Sequence, residues 1–158
     1  MTNTICIYKN KRKLECYCGE RLLLSCGIGL GPAPSGHKTC EGDGKTPVGR
    51  YAVCTRNAQS RYTLFLGLNY PSTQDAKTAI ENGLITAAQL EAITAAHRDG
   101  LRPPWDTPLG GQIGIHGGGI VSCDALTDCT AGCIALRDSD IRRLWALAPI
   151  GTSVIIFP

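Results

Sequence analysis

Two residues in this sequence are placed to do chemistry together. Cys133 follows Gly132 in "DCTAGCIALRDSDIRRLW" (128–145), just ahead of an apolar run, and His116 stands before three glycines in "GQIGIHGGG" (111–119). A thiol attacks a carbonyl well only as its thiolate, so a nucleophilic cysteine needs an imidazole or a helix N-terminus beside it. From His116 to Cys133 is 133 − 116 = 17 positions, enough chain to leave one strand, cross a loop and return. The glycines at 117–119 let that loop bend tightly, and Gly132 lets a substrate approach the backbone. The amides of Gly132 and Cys133 are candidate oxyanion donors. A cysteine in this setting is expected to be the one thiol of the chain with a depressed pKa. On spacing alone, a buried core cysteine beside a loop reads equally well.

The flanking sequence supplies the elements that must hold such a pair. "TICIY" (4–8), "LECYC" (14–18) and "RLLLSCGIG" (21–29) alternate as three strands with turns between them, so a meander opens the chain. A glycine- and proline-rich loop of unusual length follows at 29–49, and loops of that size are usually functional or mobile. "RYAVCTR" (50–56) and "YTLFLGLNY" (62–70) read as further strands. Two helices are then expected, one ending at Gly83 and one over 86–100. The second has Thr86 and Gln89 in capping-box spacing, and its Leu90 and Ile93 should lie against the sheet. His97, near the end of that helix, reads as a cap or surface residue. "GQIGIHGGG" is a strand running into a loop, and "DSDIRRLWALAP" a helix with Asp138 as N-cap and Pro149 as its stop. "GTSVIIFP" is a final buried strand. Strands that do not alternate with helices favour a mainly β sandwich or barrel with a few short inserted helices.

Composition narrows the function classes. At 158 residues the chain is expected to form one domain, residues 1–158, able to bury a substantial core. A net charge of +3 and an aromatic content of 6 % argue against nucleic-acid binding, since the basic clusters "KNKRK" (9–13) and "RR" (142–143) read as solvated faces. No stretch has the roughly 18 apolar residues of a membrane span. The start alternates like a strand and has no signal-peptide pattern, which leaves a cytoplasmic location open. Of nine cysteines at least one is unpaired within a monomer, and so many thiols fit a reducing compartment. There is no C-x-x-C pair and no zinc-finger spacing, so no metal is expected. "CYC" at 16–18 puts Cys16 and Cys18 on one strand face as small core residues. A thiol-rich redox or metal-binding protein remains the reading that uses the cysteines and not the His–Cys pair.

The order of several segments resembles a known family. "IHG" at 115–117 followed by "TAGCIAL" at 130–136 is similar to the signature of the L,D-transpeptidase catalytic domain, the YkuD-type family. That signature is a histidine, a spacer of this length, then Ser/Thr-x-Gly-Cys with an apolar residue behind it. "EGDGKTPVGRYAV" (41–53), "LNYPSTQDA" (68–76) and "GCIALRDSDI" (132–141) resemble other segments of the family, so the resemblance runs from about residue 4 to 157. It implies a YkuD-like fold with Cys133 as nucleophile, His116 as base, and the Gly117 carbonyl orienting the imidazole. Thr130 and Gly132 fall on the motif positions flanking the thiol. Ala131 stands where the family often has a second histidine, and Ala135 where it often has asparagine. Arg137 is a candidate for a substrate carboxylate, with a surface salt bridge as the alternative. Tyr70 and Trp105 are candidates to line the cleft, with core or rim packing as the alternative.

The implied activity is transfer between peptidoglycan stem peptides through a thioester, making 3–3 cross-links, with no cofactor. Carbapenem-type β-lactams are the implied inhibitors, the cell envelope or periplasm the implied location, and cell-wall and cell-shape biogenesis the implied process. L,D-carboxypeptidase trimming of the same stems, or a non-catalytic cell-wall-binding module, are the alternatives. A Cys123–Cys129 disulfide would pin the loop between base and nucleophile, with two bystander thiols as the other reading.

Overall fold

A computed structural model of the protein describes residues 1–122 and 125–158. β1 (Asn3–Tyr8), β2 (Lys13–Cys18) and β3 (Arg21–Gly27) form the expected antiparallel meander. Successive strand side chains point to opposite faces, so Ile5 and Ile7 of β1 and Leu14 and Cys16 of β2 are all fully buried on one of them. β10 (Ser153–Phe157), from the far end of the chain, lies parallel to β1 and antiparallel to β4 (Gly49–Asn57). Beyond β4 come β5 (Phe65–Leu68), β6 (Gly114–His116) and β9 (Ile134–Ala135), which complete an eight-stranded sheet of order β3-β2-β1-β10-β4-β5-β6-β9. A small ribbon of β7 (Val121–Ser122) and β8 (Ala125–Leu126) lies between β6 and β9 in the chain.

The sheet is curled. Gly29, two residues past β3, exchanges two backbone hydrogen bonds of 2.9 Å with Ala135 of β9, at the opposite edge. A side chain at Gly29 would put its Cβ 2.1 Å from the Thr127 carbonyl oxygen, so this closure requires glycine. The concave side holds the main core, where Val53, Leu66, Ile115, Ile134 and Val154 meet Ile141 and Leu144 of α3 (Asp138–Leu147). The result is mainly β, a half-barrel sheet with three short helices among the described residues.

Several expectations are corrected. The helix over 138–147 is capped by Arg137, with no side-chain cap bond, and not by Asp138. Asp138 instead reaches away from the helix to Thr63 and Gly118, because those partners are within 2.8 Å of its carboxylate. α2 (Ala87–Arg98) opens on the expected Thr86–Gln89 capping box, but it packs on α1 (Thr73–Glu81) and not on the sheet. Ile93 is buried against Ala76 and Ala79, whose small side chains let the helices approach, and this makes a second, separate core. The strand expected over 62–70 shrinks to four residues, since Thr63 takes a positive φ of 74° and ends the extended run. Lys9 of the "KNKRK" cluster is not solvated but 1 % exposed. His97 is neither a cap nor free on the surface: its Nε2 lies 2.7 Å from the Pro71 carbonyl oxygen and ties α2 to the segment before α1.

Candidate active site

β6 and β9 run parallel, with Ile115 opposite Ile134 and His116 opposite Ala135. Parallel neighbours need a crossover of a dozen or more residues, and the chain from 117 to 133 provides it. Cys133 immediately precedes Ile134, which sets it beside Gly114, and His116 follows two residues later on the same face. Gly114 carries no side chain, so nothing from β6 stands between the imidazole and the thiol. The Phe65 ring occupies that space, 2.5 Å from where a Cβ on Gly114 would be.

The imidazole is held on three sides. Its Nδ1 donates to the Gly117 carbonyl at 2.6 Å, which leaves the lone pair on Nε2. The Tyr62 ring stacks on it at 4.4 Å and 24°, and the Phe65 ring lies nearly parallel at 6.4 Å. Gly117 has to be glycine: a Cβ there would meet the Asp138 carboxylate at 2.7 Å and Ile141 at 2.8 Å. Burial pushes the His116 pKa below its ordinary 6.5, against the Gly117 carbonyl, which favours the protonated ring. The base is therefore neutral at neutral pH.

The thiol is held as a thiol. Its Sγ–H donates to the Gln112 carbonyl at 3.2 Å. Burial raises its pKa above the ordinary 9.0, opposed by the Gly114 amide and the Lys38 ammonium. The expectation of a depressed thiol pKa is thus reversed, because desolvation of the charged form outweighs those two groups. A neutral thiol beside a neutral imidazole suits proton transfer during attack, and not a preformed ion pair.

Both side chains open into a cleft of about 1110 Å³. Tyr62, Phe65 and Trp105 line it, with the backbone of 110–113 as floor and Thr130 and Ala131 on the nucleophile side. The sequence profile of the YkuD family, the L,D-transpeptidase catalytic domain, matches residues 2–156. The chain belongs to the YkuD family. No curated protein matches it. Among solved structures it resembles the helical cell-shape-determining protein Pgp2 of Campylobacter jejuni, at a TM-score of 0.63 and 20 % identity over 98 % of this chain and 47 % of Pgp2. Bd1075 of Bdellovibrio bacteriovorus gives 0.60 and 24 %, over 98 % and 47 %. An L,D-transpeptidase of Xylanimonas cellulosilytica gives 0.54 and 18 %, over 99 % and 60 %. The chain thus spans roughly half the length of the first two.

Within this YkuD domain the other candidate residues separate. Thr130 builds the turn before the thiol: its Oγ1 donates to the Cys133 carbonyl at 2.7 Å and accepts from the Gly132 amide at 3.1 Å. That second bond corrects the oxyanion expectation, because the Gly132 amide is already spent inside the turn. Gly132 is required by close approach, since a Cβ would sit 2.7 Å from the Lys45 carbonyl oxygen and its φ is 141°. Tyr70 does not line the cleft. It is 0 % exposed, donates its hydroxyl to the Leu109 carbonyl at 2.9 Å, and belongs to the core. Trp105 does line it, with its Nε1 donating to the Tyr70 carbonyl at 3.1 Å. Arg137 is exposed at the start of α3 and is not among the cleft-lining residues. Cys129 is exposed and lines the cleft, while the pairing expected for it with Cys123 lies outside the described residues.

Sequence reasoning missed Tyr62, Phe65, Gln112, Lys38 and Asp138. Only Asp138 carried a local signal, as an acidic residue at a helix start; the others act through contacts between distant segments. No described helix is long and apolar enough to cross a membrane, and no described group of three His, Cys, Asp or Glu side chains is placed to hold a metal.

Proposed function

We propose that this chain, as a catalytic domain, is a cysteine L,D-transpeptidase acting on peptidoglycan stem peptides at the cell envelope. His116 Nε2 takes the Cys133 proton as sulfur attacks the carbonyl after the third residue of a donor stem. The tetrahedral intermediate collapses to a thioester, and the departing D-alanine amine takes that proton back. The side-chain amine of a second stem then attacks the thioester, and its proton passes through His116 to the released thiol. A 3–3 cross-link results. Water in place of the amine gives L,D-carboxypeptidase trimming.

The observation that carries the reading is the pairing of His116 and Cys133 on one face of adjacent parallel strands, with the Nδ1 proton committed to Gly117. The test is intact mass after incubation with a tetrapeptide stem and, separately, with a carbapenem. An adduct of the donor less D-alanine, and a carbapenem adduct, should form on the wild type and not on Cys133→Ala. No adduct on the wild type, or one that persists without Cys133, overturns the proposal. Tripeptide release without cross-linked dimer would assign the carboxypeptidase outcome.

A further inference from the structure

The first turn of the chain reaches the nucleophile from behind. Lys9, between β1 and β2, is buried, and its Nζ donates to the carbonyls of Gly36 at 2.6 Å and Thr46 at 2.7 Å. An ammonium taken out of water is tolerated only where such acceptors meet it. Thr46, 0 % exposed, passes the link on: its Oγ1 donates to the Gly132 carbonyl at 2.7 Å. The segment at 44–46 is packed directly on the nucleophile turn, as the Lys45 carbonyl against Gly132 shows.

The same turn holds the other flank. Arg12 grips both oxygens of Asp128 at 3.0 and 2.8 Å, five residues before the thiol. Asp128 also accepts from the Leu30 amide at 2.9 Å, and the Thr130 amide donates to the Leu30 carbonyl at 3.0 Å. The turn is closed by the Arg12 amide donating to the Lys9 carbonyl at 3.1 Å. Lys9 and Arg12 thus grip the two segments between which Cys133 is presented, and neither side chain lines the cleft.

We infer that Lys9 and Arg12 are positioning residues for Cys133, Lys9 acting through Thr46 and Gly132, and Arg12 through Asp128. The inference rests on Cys133 being the nucleophile. Lys9 leads, because its ammonium is buried, whereas the Arg12–Asp128 pair is about one-third exposed and water weakens it. The charges felt at Lys9 are Lys45 and Arg12, which oppose its ammonium, and Asp43, which supports it.

The experiment compares wild type with Lys9→Met, Thr46→Val and Thr46→Ser, measuring acylation at saturating and limiting donor, alkylation of Cys133 against pH, and the folded fraction. A displacement of about 1 Å at a reacting atom costs up to roughly 100-fold. We expect Lys9→Met and Thr46→Val to lower the saturated rate by about 10-fold or more, with KM within about threefold. Thr46→Ser, which keeps the hydroxyl, should restore most of the rate. The pH profile of Cys133 alkylation should move upward in the two damaged variants as the thiol drifts from His116. Should Lys9→Met fail to fold, Thr46→Val carries the test alone. A wild-type saturated rate in Thr46→Val, or a loss that matches the unfolded fraction with no change in the alkylation profile, overturns the inference. Failure of the functional proposal reads differently: Cys133→Ala would keep its activity whatever Lys9 does.

Discussion

The chain contains two places where a histidine and a cysteine share a hollow, and by residue type the wrong one looks better. His37, Asp75 and Cys40 line a cavity of about 310 Å³, a set that reads like a nucleophile, a base and an orienting carboxylate. Yet His37 has no lone pair to spend. Its Nδ1 accepts from the Val48 amide at 2.8 Å, so its proton sits on Nε2, 2.7 Å from Asp75. Asp75 in turn accepts from the Tyr51 hydroxyl at 2.9 Å and the Ser72 amide at 2.8 Å, which makes the cluster a latch between the long loop, β4 and the start of α1. His116 has no carboxylate partner printed in its surroundings, only a carbonyl on Nδ1 and an aromatic face, and its Nε2 lone pair opens to the cleft. What separates base from latch is which nitrogen the backbone claims.

The sharpest way to break this comparison is to remove each thiol. Cys133→Ala should abolish acylation and Cys40→Ala should leave it within about threefold, read by intact mass, because only Cys133 faces an unclaimed lone pair. Activity surviving in the first, or lost in a folded second, would reverse the assignment.

Removing each imidazole should give effects of different kinds. His116→Gln should lower acylation by roughly 10²–10⁴-fold, the usual span for a positioned base. His37→Gln should spare acylation in the folded protein and instead cost about 1–3 kcal/mol of stability, by leaving buried partners unsatisfied. Denaturant melts beside rate measurements separate the two.

The pH dependence sharpens the same point. Burial holds His116 below 6.5, so the acylation rate should stay up as pH falls through neutrality and drop only as it passes the depressed His116 pKa. An acid limb at or above about 6.5 would mean that the imidazole is not the buried one described. Among the other thiols, Cys16 and Cys54 are pushed up to about 11 and Cys26 to about 12 by burial, and should resist alkylation until unfolding. Peptide mapping after substoichiometric alkylation should find the 128–137 segment first, with Cys129 resolved from Cys133.

The smallest effect belongs to the latch. Hydrogen bonds from His37 and Ser72 hold the Asp75 pKa below its ordinary 3.8 against the opposing cost of burial. Its folded pKa is depressed, so the stability it contributes is present above 3.8 and is lost as pH falls through the lower folded value. Asp75→Asn should be less stable at neutral pH and should lose less on acidification below 3.8, as read by denaturation midpoints.

Much of this was legible in the chain itself. Alternation in 4–8 and 14–18 locates the meander, because one face of each strand is buried and the other is not. Thr86 and Gln89 announce the start of α2, because capping is a contact between residues three apart. The errors fall where partners are distant. Asp138 looks like a cap until Thr63 and Gly118 are brought to it. Lys9 looks solvated until the 36–46 loop folds over it. Tyr70 looks available until Leu109 takes its hydroxyl.

The sequence by itself determined which residues can react and roughly how they are spaced: a histidine before glycines, a cysteine after one, and 17 positions between them. Those are properties of residue type and chain length. Tertiary structure alone decided that the two meet on one face of parallel strands, that Gly117 claims the Nδ1 proton, and that burial keeps both groups neutral. The physical reason is that a proton's position and a group's charge depend on the acceptors and the dielectric around it, and these are supplied by Tyr62, Phe65, Gln112 and Gly114, which only the curl of the sheet assembles.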